Sequence, residues 1–200
     1  MEDKEFPNWE TLYEKEQIHG LPWYYEDLDL DLNMELDKRH INNGSILDLG
    51  TGPGTQAIKL YEKGFQVSAS DISKTAIKKA NELYNKDIRK INFIVDDIIK
   101  SNFEENEFDY IFDRGCFHVL SVSGRNKYVG EIKRILNRNG VLFLKCFSIK
   151  EPGDYGPYRF SQDDLKNIFQ DFEILTIKET VYQGTLNPLP KALFVVAVKK

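Results

Sequence analysis

Apolar positions along this chain switch between two periods from Ser45 onward. Short apolar runs at 46–49, 65–70, 91–95, 108–112 and 141–147 have the length of buried strands. Between them, apolar residues recur at helical spacing: Ala57, Ile58, Leu60 and Tyr61; then Ala76, Ile77, Ala80, Leu83 and Tyr84; then Tyr128, Ile132, Ile135 and Leu136. Gly64 stands where a helix C-terminal cap needs a left-handed residue, and Ser73 stands where a helix start needs a side-chain acceptor. The third helix is expected to close near Asn139-Gly140. A fourth is predicted around 163–169, followed by strands at about 172–182 and 191–199.

Strands alternating with helices imply a parallel sheet with right-handed crossovers. The last two strands are joined by residues 184–190 with no helical pattern, so they are expected to pair antiparallel. Before Ser45 the pattern is less regular. Trp9, Leu12, Tyr13 and Glu16 share a helical face, and Gly20-Leu21-Pro22 interrupts it. Trp23-Tyr24-Tyr25 and an acidic stretch lead toward a helix through Met34 and Leu36. The chain therefore divides into an N-terminal arm, 1–44, and a core, 45–200.

Composition fits one domain: 200 residues, 41% hydrophobic and 30% charged. The net charge of −5 comes without any basic run, which argues against a duplex nucleic-acid partner. Cys116 and Cys146 each sit in an apolar stretch and read as buried thiols of a reducing compartment. No Cys or His pair has zinc spacing, so no metal is expected. No apolar run approaches the ~20 residues of a membrane span, and the charged start lacks a signal core. The expectation is a soluble, cytoplasmic protein with no membrane partner; homo-oligomerisation is left open.

The chemistry concentrates in Asp48-Leu49-Gly50-Thr51-Gly52-Pro53-Gly54-Thr55, which leaves the first strand and enters a helix. Glycines there let the backbone turn sharply and let a ligand approach the main chain. In open α/β sheets such ligands sit at the carboxyl ends of the strands. Asp71 ends the second strand, Asp96-Asp97 the third and Asp113 the fourth, so all four lie on one rim. A carboxylate at Asp71 can accept both ribose hydroxyl protons. The nicotinamide fingerprint G-x-G-x-x-G does not fit, because its last position is Thr55 and the glycine falls one residue early, at Gly54.

With these features in this order, the chain resembles the class I S-adenosylmethionine-dependent methyltransferases, well over 45–147 and loosely over the last 40 residues. The resemblance implies a single Rossmann-like α/β domain. Its mostly parallel seven-stranded sheet would carry an antiparallel terminal strand and helices on both faces. It also implies the cofactor and its site: Asp48, Gly50, Gly52 and Gly54 in the glycine motif, then Asp71 with Ile72 at the ribose. Asp97 would meet the adenine amino group, the Ile98 main chain the ring, and Asp113 the methionine end. Residues 136–142 resemble the family's turn before the fifth strand. The implied reaction moves the cofactor's methyl group to a small-molecule nucleophile, a thiol, amine or hydroxyl. A protein or RNA acceptor and a non-catalytic cofactor-binding module are the alternatives. A looser likeness runs to thiol, thiopurine and tellurite-type members.

Several residues carry two readings. Asp48 either orients the methionine amino group or caps the glycine turn. Asp96 and Asp97 are adjacent, so one faces the cofactor and the other is a loop charge. His118 has an unperturbed pKa near neutrality and can serve as a general base, or it packs behind the loop. Cys116 is not needed as a nucleophile, since direct methyl transfer uses no enzyme thiolate. Residues 113–120 lack the Asn/Asp-Pro-Pro-Tyr motif of amine methylation on bases or glutamine. Trp23 and Tyr24 in the arm, with Tyr155, Tyr158 and Arg159 after the fifth strand, read as a substrate cover or as packing. Arg159 would pair with an acidic acceptor group or make a surface ion pair.

Overall fold

A computed structural model describes residues 4–84 and 91–200. Eight strands form one sheet: β1 (Ser45–Leu49), β2 (Gln66–Asp71), β3 (Asn92–Val95), β4 (Phe108–Arg114), β5 (Leu136–Ser148), β6 (Arg159–Phe160), β7 (Phe172–Val181) and β8 (Lys191–Lys199). Their order is β3-β2-β1-β4-β5-β8-β7, with the two-residue β6 paired to β5. The strands from β1 to β6 pair in parallel; β8 runs antiparallel to both β5 and β7. The chain steps outward from β1 to β2 and β3, then returns to β1's other side with β4. That reversal places a ligand crevice at the carboxyl end of β1.

Among the described residues, six α-helices accompany the sheet: α1 (Trp9–Lys15), α2 (Leu30–Lys38), α3 (Thr55–Glu62), α4 (Lys74–Tyr84), α5 (Val122–Ile135) and α6 (Gln162–Ile168). Alternation along each strand sends side chains to opposite faces. Leu47, Ile111, Leu142, Leu144 and Val195 pack with Tyr128, Ile132 and Leu165 of α5 and α6. Ile46, Phe112, Phe143, Phe194 and Val196 pack on the other face with Leu32 and Leu36 of α2 and Leu60 of α3. Each such side chain contributes roughly 1.5–3 kcal/mol on burial.

Gly64 behaves as expected. At φ 104° it ends α3, its amide bonds Tyr61 O and that of Phe65 bonds Leu60 O. The α5–β5 boundary differs. The helix starts earlier, at Val122, capped by the Ser121 side chain, and stops at Ile135 rather than near Asn139-Gly140. The approach to β4 decides this: Asn106 N–H and Glu107 N–H bond the carbonyls of Arg134 and Ile135, and Leu136 pairs with Phe108. The register then slips between Phe108 and Tyr110, with Asn139 left-handed at φ 62°.

Candidate active site

The glycine turn is held from both sides. Gly50 and Gly52 are left-handed, at φ 67° and 53°. A Cβ on Gly50 would meet Cys116 Cβ at 3.1 Å, and one on Gly52 would meet the Tyr13 hydroxyl at 2.6 Å. Side chains are thus excluded by conformation and by space. The Thr51 amide bonds Ser70 O at 2.9 Å, tying the turn to β2, and its hydroxyl donates to Asp48 Oδ2. Gly54, also left-handed at φ 85°, opens α3.

Asp48, Asp71, Asp96 and Asp113, all buried, stand at this end of the sheet. Asp71 accepts the Gly52 amide on Oδ2 and the Ser73 amide on Oδ1, each at 2.9 Å. Burial pushes it up to about 6 against those amides. Asp48 is pushed up to about 7 by burial, opposed by the Thr51 hydroxyl and the Arg114 charge. Asp113 accepts the amides of Gly115, Cys116 and Phe117 and the Tyr128 hydroxyl, and burial raises it to about 6. Asp113 therefore folds its own loop back toward the glycine turn, where Cys116 meets Gly50. Asp97 is half-buried and caps the short 3-10 turn 98–100 through the Ile99 amide. Asp96 points inward and accepts from Asn102. Ile98 is buried below them, and Ile72 is exposed beside Asp71.

His118 is fully enclosed. Its Nδ1 accepts the Phe147 amide at 3.2 Å, its ring stacks on Tyr182, and burial pulls its pKa down to about 3. It is a neutral side chain built into the wall behind the loop. Cys116 is pushed up by burial and by the carboxylates around it, away from a thiolate.

The arm and the loop after β5 meet. Lys4 Nζ donates to the carbonyls of Asp154, Gly156 and Pro157, its amide donates to the Tyr158 hydroxyl, and Phe6 packs on the Tyr158 ring. Trp23 and Tyr24 line a small cavity with Asp48, Gly50, Gly52 and Arg114. Tyr158 is buried, whereas Tyr155 is 96% exposed. The Arg159 guanidinium donates to the carbonyls of Pro152, Tyr155 and Pro157, within its own loop.

Sequence reasoning did not single out a buried charge cluster beside the turn. Lys145 Nζ, fully buried, lies 2.6 Å from Asp29 Oδ2, 2.7 Å from Asp31 Oδ2 and 2.7 Å from Gln183 Oε1. Arg114 bonds the same Asp29 oxygen at 3.1 Å, the Trp23 carbonyl and the Gln183 carbonyl, and lies over the Tyr182 ring. The available signal was Lys145 itself, a lone charge inside the apolar run 141–147. Tyr13 was read only as one face of a helix.

A glycine turn thus leaves β1, and an acid stands at or just past the end of each of β2, β3 and β4. Comparisons with known proteins agree. Residues 46–140 match the methyltransferase domain family. An uncharacterized methyltransferase of Schizosaccharomyces pombe is 32% identical over 115 residues, 58% of this chain and 77% of that protein. The protein-lysine N-methyltransferase EFM4 of Saccharomyces cerevisiae is 26% identical over 157 residues, 70% of this chain and 64% of that one. A solved structure concerned with converting a disulfide bond into a thioacetal group during echinomycin biosynthesis superposes with a TM-score of 0.82. It is 22% identical and covers 96% of this chain and 91% of its own. The Burkholderia thailandensis 1,6-didemethyltoxoflavin-N1-methyltransferase, solved with its substrate and S-adenosylhomocysteine, gives 0.73 at 19% identity, covering 86% of this chain and 77% of its own. The chain belongs to the class I S-adenosylmethionine-dependent methyltransferases. It is an enzyme of that class, and its cofactor is S-adenosylmethionine.

The left-handed glycines fit that cofactor. S-adenosylmethionine has no phosphate, so the missing Pro53 amide is no loss. Asp71, a carboxylate at the end of β2, has the acceptor chemistry that ribose hydroxyls need, and the sulfonium of the bound cofactor would supply an electrophilic methyl group.

Proposed function

We propose that this enzyme methylates a small-molecule nucleophile under a cover formed by the arm, residues 1–44, and the loop 151–160. The observation that carries the reading is the junction of the two segments through Lys4, Phe6 and Tyr158. A roofed site excludes water and favours acceptors small enough to be enclosed. Methyl transfer is an in-line displacement: the acceptor's lone pair forms a bond to the methyl carbon as the carbon–sulfur bond breaks, and the pair leaves on sulfur. The chain's part is alignment, which can be worth roughly 7–11 kcal/mol.

The glycine turn with Asp48, Asp71 and Ile72 would hold the cofactor, with Asp97 and Ile98 at the adenine and Asp113 shaping the loop at the methionine end. His118 fits a positioning role, since a base depressed to about 3 takes up protons poorly at neutral pH. That favours an acceptor that ionises readily, such as a thiol. Trp23 and Tyr24 would face the acceptor, with Tyr158 and Arg159 stabilising the roof and Tyr155 at its outer edge. The toxoflavin enzyme's small substrate supports this reading. EFM4 supports a protein acceptor as the second.

The test is transfer of labelled methyl from S-adenosylmethionine to a panel of thiols, amines and phenols, run beside intact protein and RNA. Labelling of small thiols or amines is expected. Labelling of protein alone would overturn the enclosed-acceptor reading.

A further inference from the structure

We infer that the N-terminal arm gates the cofactor as well as the acceptor, with Tyr13 lying over the glycine turn when the arm is closed. The inference rests on the cofactor site being the glycine turn, and it goes beyond a substrate cover.

Tyr13 is buried at the inner face of α1, packed with Leu21 and Ala76, and its hydroxyl sits over Gly52. That is where a ligand following the turn toward Asp71 would pass. Asp71 has turned its own oxygens to the Gly52 and Ser73 amides. Leu21 and Trp23 line a cavity of about 30 Å³ between the arm and the turn, bounded below by Asp48, Gly50 and Gly52.

The closed arm is latched at two places outside the cleft. Glu10 Oε2 accepts the Ser73 hydroxyl at 2.6 Å and the Thr75 amide at 3.2 Å, and Oε1 accepts the Thr75 hydroxyl at 2.7 Å. These groups belong to the start of α4, directly after Asp71. At the other end, Lys4 is held in the carbonyl cradle of 154–157. Lys79 adds bonds from α4 to the carbonyls of Tyr13 and Glu16. Beyond α1, the Thr185 amide and hydroxyl hold the carbonyls of Pro22 and Leu21, so that end of the arm stays fixed. Gly20 lies between, with open space around it. The arm can therefore lift as a flap: the Glu10 and Lys4 latches and the Lys79 bonds release, Tyr13 leaves Gly52, and the turn opens. A cofactor that binds only the open form sees its association limited by the opening step.

The chain carries its own reporter, because its two tryptophans are Trp9 and Trp23, both in the arm, with ring centroids 6.0 Å apart. Stopped-flow tryptophan fluorescence against S-adenosylhomocysteine reads the opening directly. In the unsubstituted enzyme the observed rate should saturate with ligand concentration. Glu10→Gln and Lys4→Ala, each weakening one latch outside the cleft, should raise the plateau about three- to tenfold, the scale of one ordinary net hydrogen bond. A rate that climbs linearly with concentration, or a plateau that neither variant moves, would overturn the gate while leaving the cofactor site standing. Calorimetry on the same samples separates the two ideas: no binding of S-adenosylhomocysteine at all would overturn the site assignment, and the gate with it.

Discussion

Asp48 sits in the fully buried floor of the glycine turn, and its carboxyl titrates near 7 because burial disfavours the charge. Folding therefore takes up a proton between the ordinary carboxylate value, about 3.9, and about 7. The stability this brings is fully present below the lower value and is lost as pH rises through the upper one. Asp71 and Asp113, each near 6, act in the same direction. Without bound cofactor, the enzyme should lose thermal stability from about pH 4 to about pH 7, and Asp48→Asn should flatten that slope. A melting profile as steep in the variant as in the parent would remove Asp48 from the account. Asp71→Ala should weaken S-adenosylmethionine binding about 10- to 150-fold, the range for charged hydrogen bonds, as read by calorimetry on folded protein. At this scale the sequence disclosed the acids by their places at strand ends. It did not disclose that Asp113 spends both oxygens on its own loop, because amide acceptors leave no composition signal. Nor did it disclose Tyr13, whose role depends on a contact with Gly52 across the fold.

The elements were legible wherever apolar period and punctuation agreed. Gly64 and Ser73 marked boundaries because their chemistry is local: a left-handed cap and a side-chain acceptor. The α5–β5 boundary was misplaced because its cause is distant, namely the Phe108 edge that captures Leu136 and the last helical carbonyls. The two-residue β6 is too short to have a period. Glycine at two turns offers a controlled comparison. Gly52→Ala forces a left-handed alanine, at about 1–2 kcal/mol, and displaces Tyr13 as well. Gly64→Ala meets similar strain at φ 104°, with Asn42 O at 3.2 Å, but far along α3 from the cleft. Both should lower Tm by roughly 2–8 °C. Only Gly52→Ala should abolish binding of S-adenosylhomocysteine; equal affinity in the two variants would move the cofactor off this turn.

For the molecule as a whole, the buried cluster of Asp29, Asp31, Arg114 and Lys145 joins pieces that are distant in the chain. It ties the start of α2 to β4, β5 and the β7–β8 loop. Removing one member of a buried ion cluster leaves its partners short of compensation, typically at about 3–5 kcal/mol. Lys145→Met should therefore lower chemical-denaturation stability by about that much. The Asp29→Asn/Lys145→Met pair should cost clearly less than the sum of the two single changes; strict additivity would mean the charges act independently. The parallel sheet and its terminal hairpin could be read from strand–helix alternation, whereas this cluster could not, since its members are spread from residue 29 to residue 145. No helix among the described residues is long and apolar enough to cross a membrane. The cluster also constrains ancestry. When Lys145 is lost, Asp29 keeps Arg114 and Asp31 keeps Lys178 as cationic partners, but each loses part of its compensation. Among descendants of this chain, an apolar residue at position 145 should therefore be accompanied by loss of charge at 29 or 31 more often than by its retention.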